Sequence, residues 1–446
     1  MKIGVVGTGY VGLVSGVCLA SKGHEVICVD LRKDIVKKLN SGIPHIFERD
    51  LDELLKNVIN KNLFEATNDL IYALNSSDII LLAVGTPSEN GKIDLSQIKK
   101  ASQEIGEYIR DNDKFISIVV KSTVVPSTTD SFVKNIIETT SKKKLGKFGI
   151  GMNPEFLREG DAVKDFMYPD RIVMGFEDDK TKLLLEEMYK PWKCDKLLVN
   201  SRTAEMIKYS NNTMLACLIS MNNELSNLAS KIGGIDYLDV IEGVSLDKRW
   251  SPIIDKKRIK PSIISYFTPG AGFGGSCFPK DVQAIRTQGE TIGIDMQMTN
   301  SILSVNDNQP KQVLQMLSKF SKSNKKVLLL GLSFKPETDD IRESSSIKIL
   351  KLILLEGYKV IASDPIAIEN TKKEINHSDL RFDSSWKKEI ELNDIIIIGT
   401  NWIEYKSLKK ILQKTSKKKV VIDCKRLFKS SEIVGHKYLT FGESKL

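Results

Sequence analysis

At 446 residues the chain is long enough for two or three domains, and 41% hydrophobic content is that of an ordinary globular protein with sizeable cores. The net charge of +9 comes from a lysine-rich surface; runs such as Lys142 to Lys144 and Lys417 to Lys419 read as solvated loops, so no nucleic-acid partner is expected. No run of 18 apolar residues occurs, which excludes a membrane-spanning helix, and the glycine-bearing first 20 residues read as strand, turn and helix rather than as a leader peptide. The six cysteines (Cys18, Cys28, Cys194, Cys217, Cys277, Cys424) are scattered without a CxxC pair, and the four histidines form no ligand motif. That usage points to a reducing cytoplasm, with neither a disulfide framework nor a metal site.

In chain order, Ile3 to Val6 reads as a strand, residues 11–22 as a helix, and Glu25 to Val29 as a second strand ending at Asp30. Asp78 to Val84 and Phe115 to Val120 continue the series. Wholly apolar strands between amphipathic helices predict a parallel sheet covered on both faces. From Ala204 to Lys231 there is neither proline nor glycine, which predicts one long helix suited to join domains and to dimerise. Residues 321–326 read as a linker. The first rhythm then returns: Lys326 to Gly331, a helix over about 344–356, Tyr358 to Ala362 ending at Asp364, Asp394 to Ile398, and Lys419 to Asp423.

Gly7, Thr8, Gly9, Tyr10, Val11 and Gly12 lie between the first strand and the first helix, the context of a dinucleotide fingerprint. The glycines permit a tight turn and close approach to a pyrophosphate at the helix N-terminus. Asp30 has the position of a carboxylate that accepts from both ribose hydroxyls of NAD. Arg32 and Lys33 follow it and would favour NADP; the carboxylate makes NAD the expected cofactor. Thr86 and Thr123 end the third and fourth strands, where ligands of such sheets bind, although Thr86 reads equally well as a cap on the next helix. The fold class is therefore α/β: two Rossmann-like domains with parallel sheets joined by a long central helix. The expected division is 1–200, a cofactor domain; 201–320, a helical dimerisation region; and 321–446, a second Rossmann-like domain without the glycine fingerprint.

Residues 270–281 form a glycine-dense loop that delivers Cys277 to the start of a predicted helix, with Pro279 in its first turn. Helix N-termini favour the thiolate, the nucleophilic form. Lys280 and Asp281 place a cation and a carboxylate nearby. A nicotinamide cofactor combined with a nucleophilic cysteine points to oxidation past an aldehyde, through a thioester, to an acid.

GTGYVG, VGTPS, VKSTVVPST, NPEFLREG, the Lys208-x-x-x-Asn212 pair, GFGGSCFPKD and GLSFKPETDDIRESSS together closely resemble the UDP-glucose 6-dehydrogenase family, in its order and over nearly the whole chain. The resemblance implies oxidation of the C6 hydroxyl of UDP-glucose to a carboxylate with two NAD per turnover, without a metal, in a homodimer. It makes residues 321–446 the UDP-sugar-binding domain. It makes Cys277 the nucleophile, and Lys208 and Asn212, which share a helix face, donors to the oxygen that becomes anionic. Glu155 would orient or activate the hydrolytic water, helped by Thr123 and Asp281, with Glu159 in support at the cofactor. Without the resemblance, Glu155 after Pro154 reads as an acidic residue in a helix's first turn. The proton-abstracting base stays open.

By the same resemblance Phe156 and Leu157 line the substrate, residues 266–275 (Tyr266, Gly270 and Gly274 among them) wrap the uridine and ribose, and Lys335 and Arg426 bind the nucleotide sugar. Arg342 reaches toward the cofactor. An arginine that reaches a neighbouring subunit's site corresponds to Arg249 or to Arg258. The segment from Ser251 to Ser265 is longer than the family's pattern and is expected to form a surface loop near the sugar pocket. It keeps a UDP-N-acetyl-hexosamine as the alternative substrate.

Overall fold

The computed structural model describes residues 1–89, 91–320 and 326–443. The predicted linker therefore lies outside the described residues, apart from Lys326, which opens a strand. Two compact units are present, Met1–Asn211 and Asn212–Leu446.

In the first unit an eight-stranded sheet runs, in spatial order, Asp195–Val199, Arg171–Phe176, Gly149–Met152, Ser117–Val120, Ile79–Leu82, Lys2–Val6, Glu25–Val29 and Phe64–Thr67. Every neighbouring pair is parallel except Gly149–Met152 with Arg171–Phe176. Alternate residues feed two separate cores. Ile3, Val5, Ile79 and Leu81 face one layer of helices, and Val6, Ile80 and Leu82 the other. This double burial is why the strands read as unbroken apolar runs.

The second unit carries a six-stranded, wholly parallel sheet: Leu380–Phe382, Lys359–Ser363, Lys326–Leu330, Ile395–Ile398, Val420–Asp423 and Lys437–Thr440. Its order reverses beside the sheet's first strand, Lys326–Leu330, as it does beside Lys2–Val6 in the first sheet, so both sheets have the doubly wound arrangement and its ligand-binding crevice. Val327, Leu329 and Ile397 line one core, Leu328, Leu330 and Ile398 the other.

The helix Ser201–Ile232 is continuous over 32 residues, with residues 201–211 in the first unit and the rest in the second. Buried Ala216, Ser220, Asn223 and Ser226 mark its packed face, whereas Met214, Met221, Leu225, Leu228 and Ile232 stay exposed. Residues 251–265 are more ordered than a loop. Ile253–Ile254 pairs antiparallel with Lys257–Arg258, and the turn residues Asp255 and Lys256 both have positive φ, 49° and 62°. That is the backbone of a primed hairpin turn, built here without the glycine that usually signals it. The 3-10 helix Ser262–Phe267 follows.

Candidate active site

A cofactor cradle is built at the carboxyl ends of the first sheet. Gly7 has φ +95°, and a Cβ on it would lie 2.8 Å from the Ala83 carbonyl oxygen; one on Gly12 would lie 1.9 Å from the Gly7 oxygen. Nothing lies within 4 Å of the corresponding point on Gly9, so that face is open to a ligand. Tyr10 and Val11 open the helix Tyr10–Ser21. The cradle therefore fits a dinucleotide's pyrophosphate. Asp30 ends the second strand; its carboxylate accepts from the Thr8 hydroxyl and from the Arg32 amide at 2.9 Å. Burial pushes its carboxyl up, but these bonds and the Arg32 charge hold it below the usual range. Lys33 opens the next helix and is exposed.

Thr86 does not cap a helix: its hydroxyl donates to the Thr123 carbonyl at 3.0 Å, tying the ends of two strands together. Residues 153–160 form no helix, the next being Ala162–Met167, so the reading of Glu155 as a first-turn carboxylate fails. Instead Glu155 is buried. Its Oε1 lies 2.9 Å from the Lys208 ammonium and its Oε2 accepts from the Leu157 amide at 2.6 Å. Burial opposes its ionisation, yet the two lysines Lys208 and Lys121 and the amide keep its carboxyl below the ordinary value. The Phe156 ring is covered by the Arg171 guanidinium at 3.9 Å and the Lys208 ammonium at 5.6 Å. Glu159 sits half-buried two residues before the helix N-cap Asp161.

Three buried polar residues were not singled out in the sequence. Glu48 accepts from the Gly160 and Ala162 amides at 2.7 and 2.8 Å and from the Tyr10 hydroxyl, clamping the 158–162 turn to the fingerprint helix. Lys121 and Asn153 form a buried pair at 2.7 Å. A lysine closing an apolar strand was the available signal for Lys121; Glu48 had none.

The cysteine loop lies in the second unit. Cys277 is the N-cap of the helix Phe278–Thr291, half-buried, with Pro279 in the first turn and the Ser276 hydroxyl 3.5 Å from its sulfur. Asp281, 1% exposed, donates its amide to the Cys277 carbonyl at 2.8 Å. Its carboxylate accepts from Asn212 Nδ2 at 2.7 Å, and the Lys280 ammonium lies 2.9 Å from its other oxygen. The Phe278 ring, on the residue after Cys277, is flanked by Tyr266 at 6.4 Å and Phe273 at 6.0 Å.

The Gly270 amide donates to Asn223 at 2.8 Å and its carbonyl accepts from Gln309, also at 2.8 Å. Gly274 packs so closely that a Cβ would meet the Glu343 oxygen at 2.3 Å. Lys335 lies 5.6 Å over the Phe334 ring. Arg342 is forked on Asp340, 2.7 Å at its closest. Arg426 has φ +53° and a buried guanidinium engaged by Asp236, the Phe441 carbonyl at 3.0 Å and Glu443 at 3.4 Å. Arg258 donates to the Leu246 and Ser251 carbonyls at 2.8 and 2.9 Å, whereas Arg249 is exposed beside Asp247. Asp364, at the end of the second strand as Asp30 is in the first sheet, is buried and accepts from Leu332, Ser333 and Trp402. Its carboxylate is thus occupied by the protein, which separates this crevice chemically from the first. Among the described residues no cluster of three or more histidine, cysteine or acidic side chains is placed to hold a metal, and no helix is long and apolar enough to cross a membrane.

Comparison with known proteins matches residues 1–193 to the UDP-glucose/GDP-mannose dehydrogenase family's NAD binding domain, 202–308 to its central domain and 328–430 to its UDP binding domain. The chain is 36% identical to a UDP-glucose 6-dehydrogenase of Rickettsia felis over 99% of this chain and 96% of the relative. It is 37% identical to the UDP-glucose 6-dehydrogenase AglM of Haloferax volcanii, over 96% and 97% of the two chains. Among solved structures, a UDP-glucose dehydrogenase from Pyrobaculum islandicum superposes with a TM-score of 0.88 at 35% identity, covering 98% of this chain and 96% of that one. A UDP-D-ManNAc dehydrogenase from Pyrococcus horikoshii gives 0.84 at 28% identity, with full coverage of both chains.

Proposed function

The chain belongs to the UDP-glucose/GDP-mannose dehydrogenase family, and from that premise we propose that it oxidises the C6 hydroxyl of UDP-glucose to a carboxylate through a covalent intermediate on Cys277. The observation that carries the chemistry is a half-buried cysteine at a helix N-terminus, one turn from a buried carboxylate. NAD, when bound, would accept one hydride in each of two oxidations; the Gly7-to-Gly12 cradle, Asp30 and Thr86 are the residues that would hold it.

The first oxidation converts the alcohol to an aldehyde with loss of one proton. The Cys277 sulfur adds to the aldehyde carbon, and the sulfur's proton passes to the oxygen, giving a thiohemiacetal. The second oxidation gives a thioester and releases another proton. Water then adds to the thioester carbon, the carbon–sulfur bond breaks, and the acid and free thiol are regenerated. Lys208 and Asn212 supply donors for the oxygen that carries charge at each tetrahedral stage. Glu155, held ionised by the Lys208 ammonium at 2.9 Å, accepts a proton from the attacking water, with Thr123 assigned to assist it. Asp281 holds Asn212 and is the candidate proton acceptor for the alcohol step. Phe156, Leu157, Tyr266, Gly270, Gly274, Lys335 and Arg426 are assigned to the UDP-sugar, and Glu159, Lys33 and Arg342 to the cofactor. Arg249, its side chain 87% exposed and forked on Asp247, is assigned to reach a second subunit.

Glucose is preferred to an N-acetylated sugar because relatives named for UDP-glucose are 34–37% identical, against 28% for the UDP-D-ManNAc dehydrogenase. The exposed stripe Met214, Met221, Leu225, Leu228 and Ile232 recurs at intervals of seven, four, three and four, which supports a homodimer through this helix. We assign residues 1–200 to the cofactor domain, 201–320 to the dimerisation and cysteine-loop region, and 321–446 to the UDP-sugar domain. Six free cysteines fit the cytoplasm.

The test is NADH released per sugar, with UDP-glucose and UDP-N-acetylglucosamine in parallel. Two equivalents from UDP-glucose support the reading. Two from the N-acetylated sugar alone keep the chemistry and reassign the substrate. One or none from either overturns it. A monomer in sedimentation at assay concentrations overturns the dimer.

A further inference from the structure

The first unit buries a second cation that the reaction scheme above does not use. Lys121 follows the strand Ser117–Val120 and is 2% exposed. Its ammonium donates to Asn153 Oδ1 at 2.7 Å and approaches the Asn153 carbonyl at 3.4 Å. Asn153 is fixed in turn: its Nδ2 donates to the Val173 carbonyl at 2.8 Å, and the Tyr189 hydroxyl donates to its Oδ1 at 2.5 Å. The Phe166 ring lies 5.7 Å from the ammonium.

These hydrogen-bonding partners are neutral, and a charge buried among neutral groups is costly unless another charge answers it. The charged groups that act on Lys121 are Glu155, which attracts it, and Lys208, which repels it; burial lowers the ammonium to about 8. Glu155 in turn feels both lysines. Asn153, held by Lys121, is two residues from Glu155, across Pro154.

We propose that Lys121 is a positioning residue for Glu155: through Asn153 it fixes the backbone that presents the carboxylate, and through its charge it keeps that carboxylate ionised while Lys208 shares its protons with the reacting oxygen. A carboxylate loses part of its stabilisation whenever its closest counter-ion turns to a second oxygen; a second buried cation offsets that loss. The inference rests on the role given to Glu155 above.

The experiment uses the full-length enzyme with Lys121→Met and, separately, Asn153→Asp, which retains the lysine but sets a neutralising carboxylate beside it. Acid formation is followed against pH. The acid limb of the kcat profile should move up by about one pH unit in both variants, one logarithmic unit of proton affinity at Glu155, with KM for the sugar less affected. The infrared carboxylate band of Glu155, assigned by difference from Glu155→Gln, should persist to lower pH in the wild type than in either variant. That band needs no turnover, so it separates failure of this inference from failure of the reaction assignment. If Lys121→Met does not fold, Asn153→Asp decides. An unshifted band and an unshifted profile in a folded variant overturn the proposal.

Discussion

Replacing Lys208 with methionine keeps the volume and the helix but removes the ammonium 2.9 Å from Glu155, leaving that carboxylate with 6% of its side chain exposed. Breaking a buried pair from one side costs about 3–5 kcal/mol, because the remaining charge is left without its counter-ion. Lys121 remains nearby, so the lower end, about 3 kcal/mol, is expected at neutral pH. The sign with pH follows from the direction of the shift. In the wild type the Glu155 carboxyl is held below its ordinary value, so its stabilisation is present above the unfolded value and is lost as pH falls through the folded one. In Lys208→Met that contribution is gone, and the deficit relative to wild type shrinks on acidification. The assay is urea unfolding of wild type, Lys208→Met, Glu155→Gln and the double variant, followed by signals from the first unit because a two-unit chain need not unfold in one step. The double variant should recover part of the loss, with a coupling of about 1–3 kcal/mol. Additive effects within about 0.5 kcal/mol would refute the claim that the pair is coupled.

Cys277→Ala should abolish acid formation while leaving NAD affinity, measured by titration, nearly unchanged; acid formed at the wild-type rate excludes a thioester on this residue. Asp30→Ala removes the carboxylate that ends the second strand, and NAD binding should weaken at least tenfold, about 1.4 kcal/mol, with UDP-sugar affinity much less affected; the reverse order contradicts the ribose assignment. Glu205 accepts from the Ser127 and Thr129 amides at 2.8 Å each, and burial pushes its carboxyl up to about 7. A carboxyl raised on folding adds stability as pH falls from about 7 towards its unfolded value near 4.5, so Glu205→Gln should flatten the stability profile across that window. The same variant should cost about 1–3 kcal/mol, since an amide nitrogen then faces one of the two backbone donors; an unchanged pH slope would show that Glu205 does not titrate there.

The alternation of apolar strands with helices was legible throughout because both sheets are parallel and buried on both faces. The Gly7-to-Gly12 turn was legible because close backbone approach demands glycine at those points. The long helix was legible from the absence of breakers, and it begins three residues before the predicted start and ends one residue after the predicted end. The hairpin at Ile253–Arg258 was missed because its turn uses Asp255 and Lys256 where glycine or asparagine would announce positive φ. The helix read after Pro154 was absent because Glu155 folds back onto the Leu157 amide and Lys208.

By itself, the chain's order of residues determined what is local: which segments are strands and helices, where the backbone must turn tightly, and that Cys277 heads a helix. Pairing across long separations was decided only by the tertiary structure. It buried Lys208 and Lys121 around Glu155, locked Asp281 onto Asn212, clamped Glu48 onto residues 160 and 162, and turned Arg426 inward onto Asp236 and Glu443. The physical reason is that hydrophobic periodicity is written along the chain, whereas the ionisation and partners of a buried polar group depend on which distant residues share its low-dielectric surroundings.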